Sequence, residues 1–244
     1  MRFSLAFDTP PRIDEPELID DASQPYEDFR ASMGDVRRAN RYLGGTAVVT
    51  RQVKRWLAQA APSQEPVAFL DVATGSGDIP EAILKVAERR GVPARVLGLD
   101  FSAPILRLAR EEVGHRPTIR LARGNAFCLP CADASVDYVL CSLAFHHFGF
   151  EGCVAALREM ERVARRGWLV NDIRRAWSAW YLIRAITAVA GMNRLTRHDG
   201  PASVLRAYLV DEYRAMVERI GLCVGREVEL RRSLFYRVAL IRNK

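Results

Sequence analysis

Runs of apolar residues alternate with helically spaced apolar residues from residue 67 onward. Five runs predict β-strands, in the order VAFLDVA, RVLGLD, TIRLAR, SVDYVLCSL and GWLVNDI. The first is continuously apolar, which is typical of a strand buried on both faces of a sheet. Between the runs lie helical patterns, such as Ile79, Ile83 and Val86 before a stop at Gly91, and Ser102 is the predicted N-cap of the next helix. This alternation predicts βαβ units and a parallel, doubly wound sheet.

The carboxyl-terminal part of the chain departs from this alternation. Tyr213, Met216 and Val217 predict a last helix that ends at Gly221. The runs LCVGREVEL and LFYRVALI then follow with only RRS between them, so they are expected to form an antiparallel hairpin. The sequence therefore predicts an α/β fold with a seven-stranded sheet. That sheet is mostly parallel, one strand of its C-terminal hairpin is reversed, and helices lie on both faces.

Two segments lie outside the predicted sheet. Residues 1–66 form an N-terminal extension with two predicted helices, near YEDFRASMGDVRRANRYLGG and VVTRQVKRWLAQA. Residues 174–207 form an insertion between the fifth strand and the last helix, within a main domain of residues 67–244. The first 25 residues are acidic and carry prolines, which predicts a mobile segment.

Charge is spread unevenly along the chain. The net charge is +7, but residues 1–28 carry two basic and eight acidic residues and therefore −6, which leaves +13 on the rest. A basic body can attract nucleic acid, anionic lipid or an acidic substrate, and it can also be a set of solvated helices. The basic residues do not gather into one run with interleaved aromatics, so the sequence does not favour a nucleic-acid partner.

Three further features bear on location and metal binding. The most apolar late segment, AWSAWYLIRAITAVAGMN, is interrupted by Arg184, so no transmembrane span is predicted. The start, MRFSLAF, is too short for a signal peptide. Five cysteines within apolar segments favour a reduced cytoplasm. Cys128 and Cys131 form a single CxxC, and without a second pair they are interpreted as free thiols rather than a zinc site.

The stretch FLDVATGSGDIP, residues 69–80, predicts a ligand site. Its glycines allow a tight turn and close approach of another molecule to the backbone N–H groups at a helix start. A phosphate loop would need GxxxxGK[ST], and no such lysine is present. A dinucleotide turn would need glycine or alanine where Pro80 stands. An adenosyl ligand without phosphates is the third interpretation.

Four segments, DVATGSGD, GLD, GNAFCLP and VDYVLCSLAFHHF, occur at successive strand ends. In this order they resemble class I S-adenosylmethionine-dependent methyltransferases, in the branch of the ubiquinone and menaquinone methyltransferases. The resemblance implies a Rossmann-like fold and S-adenosylmethionine as the cofactor, with S-adenosylhomocysteine as the product. It also implies that residues 1–66 form a lid over the cofactor and that residues 174–207 form a substrate lid.

The resemblance further implies which residues contact the cofactor. Asp100 is expected to accept hydrogen bonds from the ribose hydroxyls and Phe101 to lie on the adenine face, while Asn125 faces the adenine edge. The methionine part is expected beside Asp71 and the glycine turn. The full set of predicted cofactor residues is Asp71, Ala73, Thr74, Gly75, Gly77, Asp100, Phe101, Asn125, Ala126 and Ser142.

Histidines after the fourth strand are the candidate catalytic residues. A general base accelerates methyl transfer to a hydroxyl, and His147 is the favoured base, with His146 behind it. Metal is not predicted, because Asp172 occupies only one of the two acidic positions that metal-dependent catechol methylation uses. The predicted substrate residues lie in the insertion and are Trp177, Trp180, Tyr181 and His198.

The predicted function is methyl transfer to a small aromatic or lipophilic acceptor, such as a quinone precursor or a polyketide phenol, with O-methylation favoured. One alternative is methylation of RNA or protein, which only the basic body favours. The other is a catalytically silent subunit that binds S-adenosylmethionine. The sequence leaves the acceptor and the oligomeric state open.

Overall fold

The computed structural model describes residues 9–59 and 65–244, so the stretch MRFSLAF lies outside the described residues. Seven strands form one sheet in the order β3-β2-β1-β4-β5-β7-β6. They are β1 (Val67–Val72), β2 (Ala94–Asp100), β3 (Ile119–Arg123), β4 (Val136–Ser142), β5 (Ala164–Ile173), β6 (Val228–Ser233) and β7 (Arg237–Asn243). Neighbouring strands are parallel except that β7 is antiparallel to both β5 and β6. The predicted sheet with one reversed strand is confirmed.

Eight helices are present in the described part of the chain. They are α1 (Tyr26–Tyr42), α2 (Gly45–Gln59), α3 (Asp78–Glu88), α4 (Ala103–Val113), α5 (Phe150–Val163), α6 (Trp177–Val189), α7 (Arg194–Arg206) and α8 (Val210–Arg219). One apolar core packs α5 and α8 against the sheet, and a second core packs α2 and α3 against it. Helices therefore cover both faces, as predicted. None of these helices combines the length and the hydropathy needed to cross a membrane.

The insertion after β5 folds as the pair α6 and α7, which pack on each other. Helix α7 also contacts α1 and a short 3₁₀ turn at Leu18–Asp20. A second 3₁₀ turn, Phe145–His147, follows β4 and contacts α7 as well. The insertion thus lies over the carboxyl-terminal edge of the sheet and is joined there by the start of the chain.

The N-terminal segment is packed, and the expected mobility of the first 25 residues is wrong for residues 9–25. Glu17 is buried, and the carboxylate of Asp199 accepts hydrogen bonds from the backbone N–H of Leu18 at 2.8 Å and of Ile19 at 3.0 Å. Arg12 stacks on the ring of Tyr208 at 4.4 Å. The segment is held because a carboxylate of the insertion accepts from its backbone and its own arginine stacks on Tyr208, which composition alone does not reveal.

Ser102 occupies the predicted N-cap of α4, but its side chain makes no capping hydrogen bond. Its backbone N–H donates to Oδ1 of Asp100 at 2.9 Å instead. Ser102 is thus the N-cap residue by position, without a capping hydrogen bond from its hydroxyl.

The contacts of Asp199 predict its contribution to stability. Asp199→Ala should lower the free energy of unfolding by about 1–3 kcal/mol, since it leaves two backbone N–H groups of the Leu18–Asp20 turn without their acceptor. Chemical denaturation measures the change. Glu218→Ala, on the exposed side of α8, is the control and should stay within about 0.5 kcal/mol of the wild type. Equal effects of the two substitutions would contradict the packing of residues 9–25.

Candidate functional site

The carboxyl ends of β1, β2 and β4 meet at one edge of the sheet, where the glycine turn lies between β1 and α3. Gly75 and Gly77 have φ angles of 56° and 81°, in the left-handed region that glycine adopts without strain. A side chain at residue 77 would also meet Val113, because a Cβ there would lie 2.8 Å from its Cγ2. The turn therefore requires glycine on two independent grounds.

A cavity of 660 Å³, called here the strand-end cleft, opens beside this turn. Seven of the predicted site residues line it, namely Ala73, Gly75, Asp100, Phe101, Asn125, Ala126 and His147. Asp100 accepts from the N–H of Gly75 at 3.0 Å through Oδ2, and burial raises the pKa of its carboxyl. The ring of Phe101 is 69% exposed, with the guanidinium of Arg123 5.4 Å from its centroid, and its other face can receive a flat ligand. The cleft thus combines an acid, a stacking surface and open backbone groups.

Four predicted cofactor residues, Asp71, Thr74, Gly77 and Ser142, do not line the strand-end cleft. Asp71 is fully buried in β1 and accepts a hydrogen bond from Thr74 Oγ1 at 2.7 Å. Burial raises the pKa of Asp71 to about 8. Ser142 Oγ accepts from Nδ2 of Asn171 at 2.8 Å. These side chains shape the strand ends from inside, because residues of a central strand have both faces covered.

A second cavity of 190 Å³, called here the inner cavity, adjoins the strand-end cleft. The two share Ile19, Met33, Leu143 and His147 as lining residues. The rest of its wall is mostly apolar and comes from α1, α6, α7 and the turn between β6 and β7. A small apolar group held there would lie next to whatever occupies the strand-end cleft.

The predicted substrate residues of the insertion line neither of these two cavities, so their role stays a prediction. Trp177, Trp180 and Tyr181 form an aromatic cluster of their own, with ring centroids 5.0–6.2 Å apart. The face of α6 that reaches the inner cavity carries Ala179, Leu182, Ile183 and Ile186. His198 is 55% exposed and pairs with Asp199. Composition identified the helix, but it could not tell which face turns inward.

His146 is buried at the end of β4 and held by an acid at the end of β5. Its Nδ1 lies 2.7 Å from Oδ1 of Asp172, and its Nε2 lies 3.8 Å from Oε1 of Glu17. Burial alone would raise the pKa of Asp172, but the charge and hydrogen bond of His146 outweigh it and lower that pKa. An ionised carboxylate only accepts hydrogen bonds, so Nδ1 of His146 carries a proton, and its Nε2 lies on the side of Glu17 and the inner cavity.

His147 lies against two acids. Its Nδ1 is 3.2 Å from Oδ1 of Asp20, and its Nε2 is 3.7 Å from Oε2 of Glu17. Burial opposes the charged ring, but the two carboxylates outweigh it and raise the pKa of His147 to about 9. At neutral pH this ring is therefore an imidazolium between the two cavities.

Arg206 links these groups. Its guanidinium donates to the backbone oxygens of His146 at 3.1 Å and His147 at 3.0 Å, and it lies 3.9 Å from Oε1 of Glu17. Ser203 Oγ donates to the same Glu17 oxygen at 2.9 Å. The fixed cation balances the buried carboxylate, so Glu17 can face two histidines without leaving an uncompensated charge.

Glu17, His146 and His147 are also residue types that ligate metals, and their donor atoms lie within 4.8 Å of one another. A divalent cation there would lie close to the guanidinium of Arg206 and would have to displace a proton from His147, and both oppose metal binding. The arrangement as it stands is suited to moving and holding a proton.

Sequence reasoning missed Glu17, Asp20 and Arg206. Glu17 and Asp20 belong to an irregular segment without periodicity, and about 130 residues separate them from the histidines that they contact. Arg206 was one of many arginines in a basic chain. Nothing local in the sequence marks these three residues.

Comparison with known proteins agrees with this geometry. A family model described as a methyltransferase domain matches residues 69–167. The demethylmenaquinone methyltransferase of Deinococcus radiodurans is 36% identical over 120 residues, which are 49% of this chain and 47% of that protein. The chain thus matches about half the length of its curated relatives.

Two solved structures share the fold. The S-adenosylmethionine-dependent methyltransferase from Aquifex aeolicus has a TM-score of 0.61 at 17% identity, covering 87% of this chain and 97% of that one. Magnesium protoporphyrin IX methyltransferase from Synechocystis PCC 6803, with bound S-adenosylhomocysteine, has a TM-score of 0.58 at 16% identity, covering 89% and 97%. The chain shares the fold of these two methyltransferases.

The domain match and the curated relatives bear out the resemblance predicted from the motifs, over about half of the chain. Over that part the chain is similar to methyltransferase domains and, among curated proteins, to demethylmenaquinone methyltransferases.

The raised pKa of His147 predicts a pH dependence of stability. The imidazolium interacts with Glu17 and Asp20, so its stabilisation is fully present below the ordinary pKa of about 6.5 and is lost as pH rises through about 9. The stability difference between wild type and His147→Gln should therefore shrink between pH 6 and 9, as measured by denaturation at each pH.

Two other charges bear on this measurement. The charge of Arg206 lowers the pKa of His147 and is part of the balance that leaves it at about 9. Asp71, with a pKa of about 8, titrates in both wild type and variant. The matched control is His115→Gln, an exposed histidine whose difference from wild type should be small and constant with pH. A His147→Gln difference that does not vary with pH would contradict the ion pairs.

Proposed function

We propose that this protein transfers a methyl group from S-adenosylmethionine to the hydroxyl of a lipophilic phenol held in the inner cavity. The observation that carries the proposal is the junction of the two cavities at His147, next to a second histidine backed by a buried carboxylate. One cavity has the groups that an adenosyl ligand needs, and the other has an apolar wall with proton-accepting groups at its end.

The strand-end cleft fits S-adenosylmethionine, the methyl donor of this family. Asp100 already accepts hydrogen bonds from two backbone N–H groups, and a carboxylate has about four lone-pair positions, so it can also accept from ribose hydroxyls. Phe101 offers its exposed ring to adenine, and Asn125 lines the same cleft. The bound donor would supply an electrophilic methyl group on its sulfonium.

The inner cavity favours a lipophilic ring as the acceptor. Its wall includes Val36, Ile173, Ile183 and Ile186, while its polar groups cluster at the end that carries the histidines. A phenol would bury its ring against the apolar wall and direct its hydroxyl to that end. The matched relatives are named for a quinone, demethylmenaquinone, which supports the same class of acceptor.

The two histidines would have different roles. His146 Nε2 would accept the phenol proton, because Asp172 holds the opposite proton on Nδ1 and stabilises the imidazolium that forms. His147, already charged, would stabilise the developing phenolate. The bound donor would supply its methyl group to that oxygen and would itself become S-adenosylhomocysteine. This assignment reverses the order expected from the sequence, in which His147 was the favoured base.

The cofactor assignment predicts the effect of Asp100→Ala. The substitution should weaken S-adenosylhomocysteine binding by about 10-fold or more in calorimetry, since it removes the acceptor for ribose hydroxyls. Asp211→Ala, at a 96% exposed side chain on α8, is the control and should leave binding unchanged. Thermal melts check that both variants fold. Tight NAD binding with no heat from S-adenosylhomocysteine would overturn the cofactor assignment.

The catalytic assignment predicts a contrast among three histidine variants. With labelled methyl donor and an alkyl-substituted phenol, His146→Ala should lower kcat by about 10²–10⁴-fold, and the loss should shrink for phenols that are already acidic. His147→Gln should lower kcat at neutral pH for acidic and ordinary phenols alike, because it removes charge stabilisation rather than the base. His198→Ala, outside both cavities, is the control and should keep kcat close to wild type.

The same labelling experiment separates the alternatives. Methyl groups found on RNA or on protein would show that the acceptor is a macromolecule rather than a small phenol. Binding of S-adenosylmethionine without transfer to any acceptor would indicate a catalytically silent subunit. A wild-type kcat in His146→Ala would remove that residue from proton transfer.

A further inference from the structure

Exposed apolar side chains gather on one face of the molecule. Among the described residues, eight large hydrophobic side chains are exposed, and two of them, Phe101 and Phe127, line the strand-end cleft. The other six lie on the end of α1, on α6 and at the turn between β6 and β7. They are Tyr42, Tyr181, Leu182, Val189, Leu234 and Phe235. We call these six side chains and the segments that carry them the mouth face.

The mouth face surrounds the inner cavity. Leu43, Leu182 and Phe235 line that cavity. Leu182 and Phe235 belong to the mouth face, and Leu43 directly follows Tyr42 at the end of α1. The segments touch one another, since Arg237 Nε donates to the backbone oxygen of Leu43 at 3.2 Å and Tyr236 packs with the apolar cluster beneath α6. An apolar rim therefore encloses the place that we assign to the acceptor.

The charge of these segments has one sign. Residues 36–59, 174–198 and 230–244 contain six, five and five Lys and Arg residues, respectively, and no Asp or Glu. Three guanidinium groups lie on aromatic rings of the mouth face or beside it: Arg41 over Tyr42 at 5.8 Å, Arg184 over Trp180 at 5.1 Å and Arg174 over Tyr236 at 5.5 Å. Within the described residues, none of the three arginines has a carboxylate within 4 Å in an ion pair.

Aliphatic side chains, amphipathic aromatic rings and unpaired arginines together are the chemistry of a membrane interface. The aliphatic groups enter the acyl boundary, the rings lie at the headgroup level and the arginines meet anionic headgroups. A second copy of this chain fits the face poorly, because two such faces would bring like charges together. Nucleic acid would meet the arginines but leave Leu182, Val189 and Leu234 in water.

We propose that the mouth face docks on a bilayer containing anionic phospholipid, so that the inner cavity opens toward the lipid. A lipophilic acceptor would then pass from the membrane into the cavity without crossing water. The docking stands on exposure and charge alone, whereas the route of the acceptor rests on the proposed function.

Vesicle co-sedimentation of the full chain, without methyl donor or acceptor, tests the docking. The protein should sediment with vesicles made of equal parts phosphatidylcholine and phosphatidylglycerol, and much less with phosphatidylcholine alone. The double variant Val189→Ser with Leu234→Ser should reduce partitioning by about 10-fold, because it removes the two most exposed apolar side chains, and neither lines the inner cavity. Arg41→Glu with Arg184→Glu should reduce it by a similar factor.

The matched control is Arg90→Glu with Arg120→Glu, which makes the same change of net charge at exposed positions near β3, at the opposite edge of the sheet. It should change partitioning by no more than about 2-fold. If the control and the mouth-face arginine variants lost partitioning equally, the binding would depend only on net charge, and the proposal would be overturned. The proposal would also be overturned if the protein bound neither kind of vesicle. It would likewise be overturned if the wild type were a dimer and the Val189→Ser, Leu234→Ser variant a monomer, because the mouth face would then be a dimer interface. Each result is independent of methyl transfer.

Discussion

The buried carboxylate of Glu17 is the interaction on which the candidate active site depends. It faces Arg206 and both histidines, and it joins the start of the chain to α7 and to the turn after β4. Burying a carboxylate is costly unless cations and donors compensate it, and here Arg206, His147 and Ser203 do so. The position of the histidines and the closure of the inner cavity follow from that one compensated charge.

The site is built from two sources with separate tasks. The carboxyl ends of the parallel strands form the strand-end cleft, with Asp100 and Phe101 at the tip of β2. The N-terminal segment and the insertion form the inner cavity above it. A common sheet edge can therefore keep one cofactor while the added segments set the class of acceptor, which is how one fold supports many reactions.

The sheet and the cleft could be predicted because their signals are local. A strand, a glycine turn and an acid at the end of a strand can each be recognised from a few consecutive residues. Parallel strands then bring those strand ends together. Asp71 shows the limit, since it lies in such a motif but is enclosed by the sheet on both sides. The inward face of α6 could not be predicted, because the apolar residues of this helix lie on all its sides and do not indicate which side is buried. The partners of His147 could not be predicted either. The contact of Glu17 with His147 joins residues that are separated by strands β1 to β4 in sequence, and it leaves no periodic trace.

Leu143 lines both cavities, and its backbone is held in a conformation that is unfavourable for leucine. This leucine has a φ angle of 56°, and its N–H donates to the backbone oxygen of Asn171 at 2.8 Å. A branched residue in the left-handed region costs about 1 kcal/mol or more, which glycine would not incur. Glycine would relieve the strain and also open the partition between methyl donor and acceptor. The lost apolar burial of the leucine side chain and the greater freedom of glycine in the unfolded chain would offset that relief, so the strain is kept together with the partition.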